Sequence, residues 1–160
     1  MRKFNSKILL FGEYGILLDA KALVAPFPQF SGGFSNKKPS NEELDLQLKF
    51  FYYLKSIEKD LLFFQFDLEK FENEIEIGVS FDSNIPQSYG VGSSGALVAS
   101  VFDRYSYNKS NHSLKTLKSI FSKMESFFHG ESSGMDPLCS YTNQSIKVDE
   151  GLEKVDINLN

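Results

Sequence analysis

Residues 86–102, PQSYGVGSSGALVASVF, form a glycine- and serine-rich loop that leads directly into an apolar stretch. The stretch 96–102 is typical of a buried helix, and Ser93 is a residue type that often begins one. Glycines let a loop turn its backbone N–H groups toward one point, and a helix N-terminus adds partial positive charge, so this arrangement favours phosphate binding. A serine hydroxyl here could also ligate Mg²⁺. The same residues would equally serve as a flexible turn capped by Ser93, and the absence of a following Gly-Lys-Ser/Thr excludes a Walker A loop.

Upstream of the loop, the pattern predicts strands separated by turns. Residues 7–11 predict a strand, and a glycine turn leads to a second short apolar run at residues 16–18. Residues 25–40 contain prolines, a Gly-Gly pair and several Ser and Asn, which predicts a loop or hairpin region. In residues 74–81 apolar and polar side chains alternate, which predicts a strand with one buried face.

Helical patterns lie on both sides of the loop. Residues 42–58 predict an amphipathic helix capped by Asn41, residues 93–105 a buried helix, and residues 113–128 a further amphipathic helix. Residues 145–157 predict a closing β-hairpin. Because strands and helices are intermixed without regular alternation, the predicted fold class is α+β, with a mixed or antiparallel sheet on one side and the helices packed together.

Composition and charge narrow the function classes. The chain has 160 residues, 41% of them hydrophobic, which is enough for the core of one domain. Seventeen Lys and Arg against 21 Asp and Glu, without a basic run, argue against a nucleic-acid partner. Cys139 is the only cysteine, which excludes an internal disulfide framework and fits a reducing compartment. Glu13 interrupts the apolar run near the N-terminus, and no uncharged apolar stretch approaches the roughly 18 residues that span a bilayer, so we expect a cytoplasmic protein without a membrane partner.

A second candidate segment is residues 125–136, ESFFHGESSGMD. Its carboxylates Glu125 and Asp136 are separated by a loop with two glycines and could turn back on one pocket, one holding a metal and the other handling a proton. Each has an ordinary alternative, because Glu125 could be a solvated helix residue and Asp136 a helix N-cap. His129 is interpreted as a helix-terminal residue, since no second histidine is suitably spaced for a metal site.

The third segment is residues 6–15, SKILLFGEYG. By itself it predicts no function, because a lysine at the start of a strand, such as Lys7, is commonly just a solvated end. A glycine turn likewise needs no ligand.

Taken in order, the three segments resemble the motifs of the GHMP kinases (galactokinase, homoserine kinase, mevalonate kinase and phosphomevalonate kinase), and most closely the mevalonate kinase branch. Residues 7–14 resemble the first motif, residues 86–96 the loop Pro-x-x-x-Gly-Leu-Gly-Ser-Ser-Ala, and residues 125–136 the segment Glu…His-Gly-x-x-Ser-Gly-x-Asp. The resemblance implies a GHMP-kinase-like N-terminal domain, of the ribosomal protein S5 domain 2-like type. It also implies that residues 1–160 correspond to the ATP-binding domain alone, without the family's C-terminal domain.

The resemblance further implies a function and roles for individual residues. The function is ATP-dependent phosphorylation of a small-molecule hydroxyl, here mevalonate to 5-phosphomevalonate in isoprenoid biosynthesis, with Mg²⁺. Ser94 and Glu125 would hold the metal, Asp136 would accept or orient the substrate proton, and Lys7 would supply positive charge close to Asp136. The ATP phosphates would be wrapped by the backbone of Gly90, Val91, Gly92, Ser93, Ser94, Gly95 and Ala96.

Some positions depart from the family pattern. Val91 stands in place of Leu and Gly95 in place of Ala, and neither is expected to disturb a site built from backbone groups. Tyr14 and Asp19 stand where mevalonate kinases often carry histidines on the acceptor side. The acceptor is therefore less well defined than the reaction type.

Three alternatives follow from these departures and from the missing domain. The chain could be another GHMP kinase, acting on a sugar or on phosphomevalonate. It could also be a truncated, non-catalytic fragment that binds nucleotide. The resemblance also leaves open whether the chain forms a homodimer or pairs with the missing C-terminal half.

Overall fold

The computed structural model describes residues 1–12, 21–60, 66–87, 89–107, 109 and 112–157. These residues form five strands and five α-helices, with a short 3₁₀ turn after the first helix. The strands are β1 (Phe4–Phe11), β2 (Ala22–Ser35), β3 (Ser80–Ser83), β4 (Ser145–Val148) and β5 (Leu152–Val155). The helices are α1 (Asn41–Ile57), α2 (Leu68–Glu76), α3 (Ser93–Tyr105), α4 (Leu114–His129) and α5 (Met135–Thr142). The predicted strand at residues 16–18 lies outside the described residues.

The strands form one antiparallel sheet, which confirms the α+β prediction. The long strand β2 lies at its centre, pairing with β1 on one side and with β4 and β3, at its two ends, on the other. Strands β4 and β5 form the predicted closing hairpin. The other edge of β1 faces the glycine loop, where the Lys7 backbone N–H donates to the Val91 carbonyl at 3.0 Å. The sheet thereby fixes the loop at its edge.

Helix α3 passes through the middle of the core. Residues 95–102 are buried without a break, as expected for a helix that is packed on all sides. Its bounds confirm the predicted helix 93–105. Ser113, the first residue of the predicted helix 113–128, is the N-cap of α4, and α1 is capped by Ser40 rather than by the predicted Asn41. The reason is a capping box, in which the Ser40 hydroxyl accepts from the Glu43 N–H and the Glu43 carboxylate accepts from the Ser40 N–H.

The prediction of a loop or hairpin region over residues 25–40 missed one long continuous strand, because β2 extends to Ser35. Prolines are tolerated where a strand needs no hydrogen-bond donor on one side. Strand β4 pairs only with residues 22–24 of β2 and β3 only with residues 32–35, so Pro26 and Pro28 lie where β2 has a strand partner on the β1 side alone.

The strand predicted at residues 74–81 is also wrong over residues 74–79. Ile75 belongs to helix α2, where it is buried together with Phe71 one turn earlier. Asp67 caps the start of this helix, and Gly78 ends it with a φ of 83°. Ile77 follows Ile75 by two residues, which gives the appearance of a strand. Ile77 is 78% exposed, however, and belongs to no buried strand face. Only β3, which starts at Ser80, is extended.

None of the helices in the described part of the chain is both long enough and apolar enough to cross a membrane.

Candidate active site

The site is built around the N-terminus of α3. Gly92 is the N-cap residue and has a φ of 81°, a left-handed conformation that glycine adopts readily. It has no side chain to cap the helix, so the first-turn N–H groups remain available to a ligand. Ser93 and Ser94 are half-buried and border a cavity of about 110 Å³ between α1, β3 and α3. The first two residues of α3 therefore border an opening.

A buried lysine and an aspartate meet beside this helix end. Lys7 is 6% exposed, and its Nζ lies 2.9 Å from Oδ2 of Asp136 in the first turn of α5. The aliphatic part of Lys7 runs along Gly92, where a Cβ would lie 2.8 Å from the Lys7 Cγ. The Asp136 side chain is 30% exposed, so solvent or a substrate can reach the carboxylate while Lys7 holds it in place.

A second pair joins α3 to α4. Glu125 is 3% exposed, and its Oε1 accepts a hydrogen bond from the Ser94 hydroxyl at 3.2 Å. Its Oε2 accepts from the Ser132 hydroxyl at 2.5 Å. Burial, with a further contribution from the negative charge of Asp136, raises the pKa of Glu125 to about 7. A cation bound beside it would favour the charged form.

The oxygen atoms of Ser94 and Glu125 fit a magnesium ion. Mg²⁺ prefers oxygen ligands and is usually bound through one or two carboxylates together with substrate phosphates, rather than in a cage made only of protein groups. Consistent with this, the described residues contain no cluster of three or more His, Cys, Asp or Glu that could hold a metal by itself. The predicted ligand pair therefore suits a metal that arrives with nucleotide phosphates.

Two side chains of this site were not assigned a role from the sequence. The His129 Nε2 lies 3.2 Å from the Ser94 hydroxyl, and Ser132 holds Glu125. The Ser94 hydroxyl has a single proton, so when it donates to Glu125 the His129 ring nitrogen must be the donor. Spacing could have indicated His129, because it follows Glu125 by four residues and lies on the same face of α4. No sequence signal indicates Ser132.

The predicted site residues thus lie close together although they come from four separate elements. Lys7 lies on β1, Ser94 on α3 just after the glycine loop, Glu125 on α4 and Asp136 on α5. Asp136 is not the N-cap that the ordinary interpretation offered, because Gly134 begins that helix. Tyr14 and Asp19 lie outside the described residues.

Gly95 allows α3 and α5 to pack closely, which the sequence does not indicate. A Cβ at this position would lie 2.9 Å from the Cβ and backbone carbon of Asp136, so its absence lets α5 approach α3. We expect Gly95→Ala to displace Asp136. Overpacking costs about 1–3 kcal/mol, of which the better helix propensity of Ala offsets about 1 kcal/mol.

Urea unfolding would measure the loss of stability in Gly95→Ala, and a crystal structure of the variant would measure the displacement of Asp136. The matched control is Gly151→Ala, where an added Cβ meets open space. Equal stability of the two variants and an unmoved Asp136 would show that the close approach of α5 is unimportant.

Comparisons with known proteins bear on the fold and on the family of the chain. No curated protein sequence matches the chain. Solved structures do match, among them mevalonate kinase from Methanococcus jannaschii (17% identity, TM-score 0.54, covering 97% of this chain and 55% of that one). Mevalonate kinase from Staphylococcus aureus MRSA252 matches with 17% identity and a TM-score of 0.50, covering 96% of this chain and 54% of that one. The L. major enzyme in complex with R-mevalonate matches with 15% identity and a TM-score of 0.51, covering 91% and 47%.

At these identities the structural matches show a shared fold, and the chain spans about half the length of the solved mevalonate kinases that it matches. The family assignment comes from a separate comparison. The family model described as GHMP kinases N terminal domain matches residues 54–144, more than half of the chain, in a region that includes the glycine loop, Glu125 and Asp136. The chain therefore belongs to the GHMP kinase family and carries the N-terminal domain of that family.

Proposed function

We propose that this chain supplies the ATP-binding half of a small-molecule kinase that phosphorylates a hydroxyl group. The observation that supports this most strongly is the convergence of two polar pairs, Lys7 with Asp136 and Ser94 with Glu125, on the N-terminus of α3. An isolated lysine–carboxylate pair on a wet surface contributes little. The enclosed position of Lys7 beside the glycine loop therefore indicates a role beyond simple surface pairing.

The arrangement suits phosphoryl transfer because that reaction depends on positioning and on neutralising charge at the phosphoryl oxygens. The segment from Gly90 to Gly95 offers N–H groups, whereas the Ala96 N–H already donates to the Gly92 carbonyl within α3. Lys7 offers a fixed positive charge at the same helix end. Ser94 and Glu125 would hold Mg²⁺, which supplies further charge neutralisation when bound.

Asp136 would act on the acceptor hydroxyl. Its carboxylate is partly exposed, whereas Glu125 is almost fully buried, so the two carboxylates have different surroundings and suit different tasks. Lys7 orients the Asp136 carboxylate through the ion pair between them, which suits a group that accepts or orients the substrate proton.

We propose mevalonate as the acceptor. Solved structures that share this fold across most of the chain include mevalonate kinases, and one of them is described in complex with R-mevalonate. A sugar and phosphomevalonate are the other acceptors to compare with mevalonate.

The first test is nucleotide binding. Titration of the chain with a fluorescent ATP analogue should show binding that tightens when Mg²⁺ replaces EDTA. Glu125→Gln keeps the shape of the side chain but removes its charge, and we expect it to abolish most of the Mg²⁺-dependent gain, by about tenfold or more, without changing affinity in EDTA. Absence of nucleotide binding by the unaltered chain would contradict the proposed function.

The second test is turnover. A coupled assay with ATP, Mg²⁺ and each of the three acceptors should be run on this chain and on any longer natural form that contains it. Preferential turnover of a sugar or of phosphomevalonate would reject mevalonate while keeping the kinase assignment. Binding of nucleotide without turnover in the longest form would favour a non-catalytic nucleotide-binding protein.

A further inference from the structure

We propose that Ser132 is a positioning residue, which orients the Glu125 carboxylate at the metal-binding corner and links it to the start of α5. The inference rests on the proposed function, because it concerns how this chain would hold Mg²⁺ with its nucleotide. Position 132 is an unspecified position of the His-Gly-x-x-Ser-Gly-x-Asp pattern, so the family resemblance assigns it no role.

The two oxygens of the Glu125 carboxylate accept hydrogen bonds from two different hydroxyls. Oε1 faces Ser94 on α3, and Oε2 accepts from Ser132 in the loop after α4. With 3% of Glu125 exposed, water has little access to replace either donor. The hydroxyl of Ser132 therefore determines which oxygen remains directed toward Ser94 and the helix end.

Ser132 also links Glu125 to the start of α5. The same Ser132 oxygen accepts a hydrogen bond from the N–H of Gly134 at 3.0 Å, and Gly134 is the N-cap of α5, two residues before Asp136. The Ser132 carbonyl in turn accepts from the Ser122 hydroxyl on α4. One side chain thus connects the proposed metal ligand Glu125 to the backbone that places Asp136.

The chemistry of the side chain explains why a hydroxyl is needed. The Ser132 hydroxyl donates to a carboxylate and accepts from a backbone N–H at the same time, which an alanine side chain could not do. Threonine keeps both capacities. Groups that orient metal ligands in this way typically change metal affinity or activity by 10–100-fold when removed.

The experiment compares Ser132→Ala with the conservative variant Ser132→Thr and with the control Ser126→Ala. Ser126 lies next to Glu125 on α4, but its hydroxyl donates to the Ser122 carbonyl within the helix. For each variant, binding of the fluorescent ATP analogue is measured in EDTA and over a range of Mg²⁺ concentrations, and Mn²⁺ binding is followed separately by electron paramagnetic resonance.

We expect Ser132→Ala to raise the Mg²⁺ concentration for half-maximal nucleotide binding by about tenfold or more, with a parallel loss of Mn²⁺ affinity. Affinity in EDTA should stay within about twofold of the unaltered chain, because the loop backbone is retained. Ser132→Thr should restore most of the metal dependence, and Ser126→Ala should leave it unchanged.

A merely structural role would give a different pattern, in which Ser132→Ala weakens binding equally with and without metal. That pattern, or an unchanged Mg²⁺ dependence in Ser132→Ala, would overturn the inference while leaving the proposed function in place. Nucleotide binding by the unaltered chain that ignores Mg²⁺ would overturn the proposed metal site and this inference together.

Discussion

Asp136→Asn is expected to lower the rate of phosphoryl transfer by about 10²-fold or more, while nucleotide affinity stays within about twofold. The substitution keeps the shape of the side chain but removes the basic oxygen that would take or orient the proton of the acceptor hydroxyl. Nucleotide affinity should persist because it depends on the loop, Ser94 and Glu125, which Asp136 does not hydrogen-bond in this structure.

Rates should be measured under single-turnover conditions with saturating nucleotide, in the longest natural form of the protein that shows turnover. Asp149→Asn is the control, because Asp149 is a carboxylate paired with Lys21 and Lys147 near the β4–β5 turn. Full activity in Asp136→Asn would show that Asp136 has no part in the transfer step.

Lys7→Met is expected to reduce phosphoryl transfer by about 10²–10³-fold, as for the loss of one fixed electrostatic donor at a reacting group. Methionine fills much of the space of the lysine stem along Gly92, so the packing of the loop is largely kept. The lost charge leaves Asp136 without its ion-pair partner and removes the positive group at the end of α3.

The double variant Lys7→Met/Asp136→Asn distinguishes a working pair from two separate contributions. Because the two side chains are 2.9 Å apart, their effects should be strongly non-additive, and the double variant should be little slower than the slower single variant. Lys37→Met, which removes an exposed ion pair with Asp82, is the matched control. If the rate reductions of the two single variants multiply in the double variant, Lys7 and Asp136 do not share a role.

The sequence was most informative where local signals agree with one another. The glycine loop and the apolar run after it predict the bounds of helix α3 correctly, because a glycine cap and a continuous apolar stretch both act over neighbouring residues. The closing hairpin β4–β5 was predictable for the same reason. In contrast, residues 71–77 contain two conflicting patterns, the alternation at residues 74–77 and the helical spacing of Phe71 and Ile75. The segment forms a helix because that pair is buried and Asp67 caps the helix start.

Strand β2 shows how sheet context can override a local signal. Prolines and a Gly-Gly pair predict a loop, yet the prolines lie where β2 lacks a partner on one side, and the glycines allow close contacts with neighbouring strands. A Cβ at Gly32 would lie 2.3 Å from the Phe81 ring, and one at Gly33 would lie 2.5 Å from the Arg2 carbonyl. Such close approaches cannot be anticipated from the residues of β2 alone.

What the sequence determined by itself was therefore the family resemblance, the α+β class and the identity of the candidate residues Lys7, Ser94, Glu125 and Asp136. The tertiary structure decided which of these side chains share contacts, because they come from β1, α3, α4 and α5 and no local pattern specifies distances between elements so far apart in the chain. It also revealed Ser132, whose hydroxyl makes its two hydrogen bonds only when α4 and the start of α5 bring Glu125 and Gly134 to the same oxygen. Propensity and periodicity act between neighbours along the chain, whereas a binding site depends on packing between elements that are distant in sequence.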